Sequence, residues 1–279
     1  MNSSASDLWH SSSKPKIYPE WDYIDKRFDC IDLEASNPES TLILLLTSPR
    51  SGSTALCQSI LNIYGIVAHE YFQHYGYLQT LASRWGCYEN GFINKQKYVT
   101  SLVKMRSTQQ FLILNLHGSH LKVFSEFLPY FQIKQIFCFN LVRPNCIKQA
   151  VSWHIASTTG QWSSVYNTAK EAITDSNWHA HYSYEKITKK LHMIQREQLN
   201  IYKFLRFHDL AFSEIVFKDE NYASLKFLNS ILPSNFVSKF SIKRHQWHQE
   251  HIPSLQNVKP QFSSINKLMI DKFLSDYSS

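Results

Sequence analysis

An apolar run of strand length, Thr41-Leu42-Ile43-Leu44-Leu45-Leu46-Thr47, enters a turn of small, hydroxylated and basic residues, Ser48-Pro49-Arg50-Ser51-Gly52-Ser53-Thr54. Leu56, Ile60 and Leu61 then recur at helical spacing. A strand, a short loop and a helix start in this order are how an α/β protein builds an anion cradle. Amide N–H groups at the helix N-terminus point at the ligand, and a glycine lets it approach the backbone closely. The loop is not a Walker A motif, because no Gly-x-x-x-x-Gly-Lys-Ser/Thr is present. Its basic residue, Arg50, precedes the glycine instead of following it.

With 279 residues and 43% hydrophobic content, the chain can bury the core of one large α/β domain, which excludes a disordered protein. A formal charge of +7 favours anionic ligands. The Lys and Arg residues are spread along the chain, so no nucleic-acid partner is expected. The small cluster Lys186-Ile187-Thr188-Lys189-Lys190 reads as a solvated helix face. Cys30, Cys57, Cys87, Cys138 and Cys146 form no Cys-x-x-Cys pair and read as reduced, structural thiols. The first sixteen residues lack an apolar signal core, and no apolar run approaches the roughly 18 residues a bilayer-spanning helix needs. The expectation is a soluble, cytoplasmic protein without a membrane span.

Residues 1–20 read as a flexible or loosely docked arm, and 21–279 as the folded domain. Strands are expected at 41–47, 111–116, 135–142 and 214–217, with a short one at Ile66-Val67-Ala68. Helices are expected from Gly52 to Gly65, over 77–107 with a break at Gly91, at 120–131, 144–158, 178–207, 222–232 and 265–277. Pro144 suits the first position of its helix. Alternation of strands and helices argues for a parallel sheet with helices on both faces.

A second strand-to-helix junction carries Arg143-Pro144-Asn145, with Ser152 further along the helix. In a parallel sheet both junctions lie at the carboxyl edge, where open α/β folds bind ligands. Arg is suited to bidentate phosphate contact. Two separated phosphate sites imply a nucleotide phosphorylated at both ends.

The pair of junctions resembles the two phosphate-binding motifs of sulfotransferases that use 3′-phosphoadenosine 5′-phosphosulfate (PAPS). Together with His69-Glu70-Tyr71-Phe72 and Ala150-Val151-Ser152-Trp153, it resembles the bacterial trehalose 2-sulfotransferase family over residues 41–250. The resemblance implies a three-layer, P-loop-like α/β fold with a central, mostly parallel sheet flanked by helices, and a dimer. It implies that Arg50, Ser51, Gly52, Ser53 and Thr54 hold the 5′-phosphosulfate, and that Arg143 and Ser152 hold the 3′-phosphate. Lys243 and Arg244 would close over the nucleotide. Glu70 would be the general base, and His69, Tyr71, Phe72, Gln73 and Trp85 would contact a sugar or glycolipid acceptor. No metal is expected, since adenosine 3′,5′-bisphosphate is already a good leaving group.

Two positions depart from that family. Pro49 stands where the trehalose enzyme has Gln, and Asn115 where it has a lysine. The acceptor side is therefore less well kept than the donor side. Trp153 and Trp162 read as packing residues, and His117 and His120 as satisfied core or surface histidines. His245, His248 and His251 recur at spacing three, without the carboxylate or Cys pattern of a known metal site. Two other classes stay open: a kinase-like P-loop phosphotransferase, and a non-enzymatic protein that binds RNA or anionic glycans.

Overall fold

The structure is a computed structural model; it describes residues 7–9, 40–74, 76–107, 111–160, 162, 173–174, 176–217, 229, 232 and 262–278. Four strands form a parallel sheet: β2 (Ser40–Thr47), β5 (Phe111–His117), β6 (Ile133–Val142) and β7 (Phe212–Val216), in the order β5-β2-β6-β7. The central strand β2 is apolar on both faces because both faces are covered. Leu42, Leu44 and Leu46 enter a core with α2 (Tyr77–Arg84), α3 (Lys95–Arg106), α4 (Leu121–Phe127) and the C-terminal half of α7 (Tyr184–Phe207). Ile43 and Leu45 enter a second core against Leu56, Cys57 and Ile60 of α1 (Ser53–Tyr64). Each fully buried Leu or Ile contributes about 1.5–3 kcal/mol. A third core joins α5 (Cys146–Thr159) to α7 and to α8 (Phe262–Tyr277) through Val151, Ile187, Ile194, Met269 and Phe273. This is an α/β architecture with a parallel sheet flanked by helices.

The register aligns the strand ends. Thr47 pairs with His117 across β2 and β5, and Leu46 pairs with Asn140 across β2 and β6. The loop after β2, the turn after β5, Arg143 after β6 and Phe217 after β7 therefore share one carboxyl edge. His69 extends that edge on the far side of β5, bridging Leu114 in parallel, and the Asn115 N–H donates to the His69 carbonyl at 3.0 Å. The pairing expected at residues 66–68 is thus a single bridge at His69, one residue before Glu70.

Several local expectations are corrected. At the break expected within the one or two helices over 77–107 lies an antiparallel hairpin, β3 (Tyr88–Glu89) and β4 (Phe92–Asn94). It turns at Asn90 and Gly91, both with positive φ (51° and 81°), as an Asn-Gly hairpin requires. Leu8 and Trp9, in the arm expected to be flexible or loosely docked, form β1 and pair with β4. Trp9 is buried with its ring centroid 6.2 Å from that of Phe127. The helix expected over 178–207 is two helices, α6 (Trp178–His181) and α7, because the Ser183 hydroxyl accepts the Lys186 N–H and starts α7 afresh. Pro144 precedes the helix instead of opening it; Asn145 is the cap and its side chain accepts the Lys148 N–H at 2.8 Å. The expected helix over 222–232 and the basic, His-rich stretch from Lys243 to His251 lie outside the described residues.

Among the described residues no helix is long and apolar enough to cross a membrane, and the described cysteines Cys57, Cys87, Cys138 and Cys146 carry no disulfide.

Candidate active site

The loop after β2 is held by the neighbouring helix. Gln149 on α5 donates from Nε2 to the Ser48 hydroxyl (2.8 Å) and to the Pro49 carbonyl (2.7 Å), and Gln198 on α7 donates to the same hydroxyl at 3.3 Å. The Ser51 N–H returns to the Ser48 carbonyl at 3.1 Å. Arg50 adopts a left-handed conformation (φ 65°) and Gly52 another (φ 98°). A non-glycine residue at positive φ is uncommon, so the loop carries strain where its guanidinium is displayed. Gly52 caps α1, and no side chain caps the first turn, which leaves its amides available to a ligand. Ser51 is fully buried and its hydroxyl has no hydrogen-bond partner among the described residues. Ser53 is buried and Thr54 exposed.

Phe217 closes the cradle from β7. A Cβ on Gly52 would lie 2.4 Å from its ring carbons. Gly52→Ala is therefore expected to lower the melting temperature. The left-handed backbone alone costs about 1–2 kcal/mol, and ring displacement adds to it. An unchanged melting temperature would show that Phe217 yields freely.

The two junctions meet. Arg50 Nε donates to the Ser152 hydroxyl, 102 residues later, at 3.1 Å, and its terminal nitrogen donates to the Trp162 carbonyl. Arg143 donates to the Arg50 carbonyl at 2.9 Å, and its guanidinium lies over the Phe217 ring at 5.0 Å. Burial, and next the charge of Arg143, lower the Arg50 guanidinium to about 10. Two crowded guanidinium groups at one strand edge form a site where an anion relieves both repulsion and desolvation. Asn145 already satisfies an amide of α5, so the second junction offers side chains, whereas the first offers its backbone.

Glu70 stands at the same edge. It follows the His69 bridge, and its own N–H donates to His69 Nδ1 at 2.6 Å. Burial, then Arg106 and His117, push His69 down to about 3, so the ring stays neutral and accepts. The Glu70 carboxylate lies 3.6 Å from His117 Nε2. Burial, and then the charge of Glu70, drive the Cys57 thiol upward. Asn115 accepts the Thr47 hydroxyl at 2.8 Å and joins β5 to β2 beneath the site.

The residues expected to contact an acceptor divide. Tyr71 and Phe72 are core, not surface. The Tyr71 hydroxyl donates to the Val67 carbonyl, and Phe72 packs edge-on against Tyr98, Phe124 and Phe127. Their hydroxyl and ring contacts are made inside the core, so in this structure both serve as packing residues. Gln73 is also buried, accepting the Tyr77 N–H. Trp85 is half-buried against Tyr98 with Arg106 over its ring at 5.4 Å. Trp153 is buried as expected, whereas Trp162, expected to pack, is 50% exposed beside Arg50.

Sequence reasoning missed Gln149, Phe217 and Glu197. Gln149 could have been found, since it lies three residues from Ser152 on the same helix face. Phe217 ends a strand candidate, the position that reaches a carboxyl-edge site. Glu197 gave no signal. It is a buried carboxylate in α7 that accepts the Ser119 N–H at 2.7 Å and so anchors the turn after β5. At that turn Gly118 lies so close to α7 that a Cβ would stand 2.2 Å from the Glu197 carbonyl oxygen. Gly118→Ala is expected to cost about 1–3 kcal/mol in denaturant unfolding, because backbone, unlike a flexible side chain, must move. A cost near zero would mean that helix and turn are not in firm contact.

No protein-family model matches the chain, and no curated protein matches it significantly.

Proposed function

We propose that the chain is a PAPS-dependent sulfotransferase with a P-loop-like fold, moving a sulfuryl group to a hydroxyl of a carbohydrate or glycolipid. The observation that carries this reading is the contact of the two junctions at one edge, Arg50 on Ser152 and Arg143 on Arg50, with Glu70 facing His117 at the end of β5 on that edge. The cradle fits a phosphosulfate: the buried Ser51 hydroxyl lacks a partner among the described residues, Gly52 admits no Cβ, and the first turn of α1 has no side-chain cap. On donor binding Arg50 turns from Ser152 to the phosphosulfate, which frees Ser152 to join Arg143 on the 3′-phosphate.

Glu70 takes the proton of the acceptor hydroxyl. The acceptor oxygen forms the new S–O bond, the bridging S–O bond of the donor breaks, and adenosine 3′,5′-bisphosphate leaves with the electron pair. Charge gathering on the leaving oxygen meets the amides of α1 and Arg50. Positioning and electrostatics do the rest, as in phosphoryl transfer. Lys243 and Arg244 complete the nucleotide site in this reading, and the family likeness adds a dimer in the cytoplasm.

A thermal-shift comparison tests the reading. Adenosine 3′,5′-bisphosphate is expected to raise the melting temperature more than adenosine 5′-phosphate or ATP. A larger shift with ATP and magnesium would favour a kinase-like enzyme. Shifts without 3′-phosphate preference that vanish with salt would favour a general anion or RNA binder.

A further inference from the structure

The turn after β5 buries an imidazole with one nitrogen left over. His120 is fully buried, and its Nδ1 accepts the backbone N–H of His117 at 3.2 Å. Its Nε2 has no hydrogen-bond partner among the described residues. A neutral ring whose Nδ1 lone pair faces an N–H carries its proton on Nε2. Buried N–H donors without acceptors are rare in folded proteins, because desolvation is not repaid.

The surroundings define what satisfies this donor. One polar atom from each of Glu70, His117 and His120 lies within 4.8 Å of the others. The two imidazole rings stack at 4.9 Å and 16°, and the Glu70 carboxylate faces His117. A divalent metal does not fit. It needs a lone pair on His120 Nε2, and a metal-bound imidazole donates from its other nitrogen, whereas His120 Nδ1 faces a donor. A protonated amine does not fit either, since it has no lone pair for an N–H. A hydroxyl fits, because it accepts through oxygen and donates through hydrogen.

We propose that Glu70, His117 and His120 form a seat for a single hydroxyl oxygen, with His120 donating Nε2–H to that oxygen and Glu70 accepting its hydrogen. The functional meaning rests on the sulfuryl-transfer reading and narrows it. The acceptor hydroxyl of that reading sits in this seat with one lone pair on His120 Nε2–H and the other left for the sulfur, whereas a neutral amine would spend its single lone pair on His120 and keep none for the attack. His117 holds the carboxylate toward the seat, and the Glu197 contact to Ser119 holds the turn that carries both histidines. Water takes the seat before the acceptor arrives.

The test uses the full chain labelled with 15N-histidine. Long-range couplings from the carbon-bound ring protons report the tautomer even when the N–H exchanges quickly. The His120 signals are assigned by their loss in His120→Asn, and in His120→Gln should the first variant not fold. The expected result is a protonated Nε2 and an unprotonated Nδ1 at neutral pH. A water contact at Nε2 is also expected, and neither signal should shift with equimolar Zn2+. A proton on Nδ1, or an Nε2 without water, would overturn the seat. A Zn2+-induced shift shared by His117 and His120 would overturn it in favour of a metal site. Nucleotide shifts measured on the same sample keep the two readings apart. Loss of 3′-phosphate preference with the tautomer and water intact sinks sulfuryl transfer and leaves the hydroxyl seat standing.

Discussion

Glu70→Gln is expected to lower sulfuryl transfer from PAPS by about 10²–10⁴-fold, the range for a positioned general base, while adenosine 3′,5′-bisphosphate binds as before. Gln keeps the length and shape of Glu, so the backbone contact to His69 Nδ1 survives. Its amide cannot accept a proton, and its NH2 group sets a donor against the hydroxyl hydrogen. The carboxylate is not among the groups proposed to hold the phosphates, which are Arg50, Arg143, Ser152 and the first turn of α1. Binding and turnover therefore separate. Full activity in this variant would remove Glu70 as the base; loss of nucleotide binding together with turnover would instead show a collapsed site.

Arg143→Ala is expected to weaken adenosine 3′,5′-bisphosphate by about ten- to hundredfold, from about 1.5–3 kcal/mol for a charge-assisted hydrogen bond. Adenosine 5′-phosphate should change far less, because it lacks the group Arg143 would hold. The guanidinium does three things in the structure: it donates to the Arg50 carbonyl, covers the Phe217 ring and raises the positive potential around Arg50. Lys cannot reproduce the first two together, since its point charge lacks the planar fork. Arg143→Lys should therefore recover only part of the loss. Equal losses for both nucleotides, measured by calorimetry, would argue that Arg143 only braces the Arg50 loop.

The four strands of the parallel sheet and their order of appearance were legible because the β2 and β6 runs are apolar over a strand's length, and helical spacing follows each. Gly65 marks the end of α1, where φ is 67°. The break at Gly91 was legible, but the hairpin that turns there was not, because helical spacing on either side masked it. The split of the helix at Ser183 depended on one hydroxyl accepting an amide, which spacing does not reveal. The misplacement of Tyr71 and Phe72 has a general cause. An aromatic beside a polar site residue reads the same whether it faces ligand or core, and only packing against Phe124 and Phe127 decides.

The sequence alone determined the groups on offer: a small, hydroxylated and basic turn at Arg50-Ser51-Gly52-Ser53-Thr54, a second basic junction at Arg143 and a carboxylate at Glu70. Local residue types and their spacing suffice for that, because capping, turn and strand preferences act over a few residues. The tertiary structure alone decided which of these groups meet. Arg50 reaches Ser152, Phe217 closes over Gly52, Glu70 faces His117, and Glu197 anchors the turn that buries His120. Each of these contacts joins residues far apart in the chain. They exist because parallel strand pairing, set by burial on both faces of β2, brings every strand end to one edge.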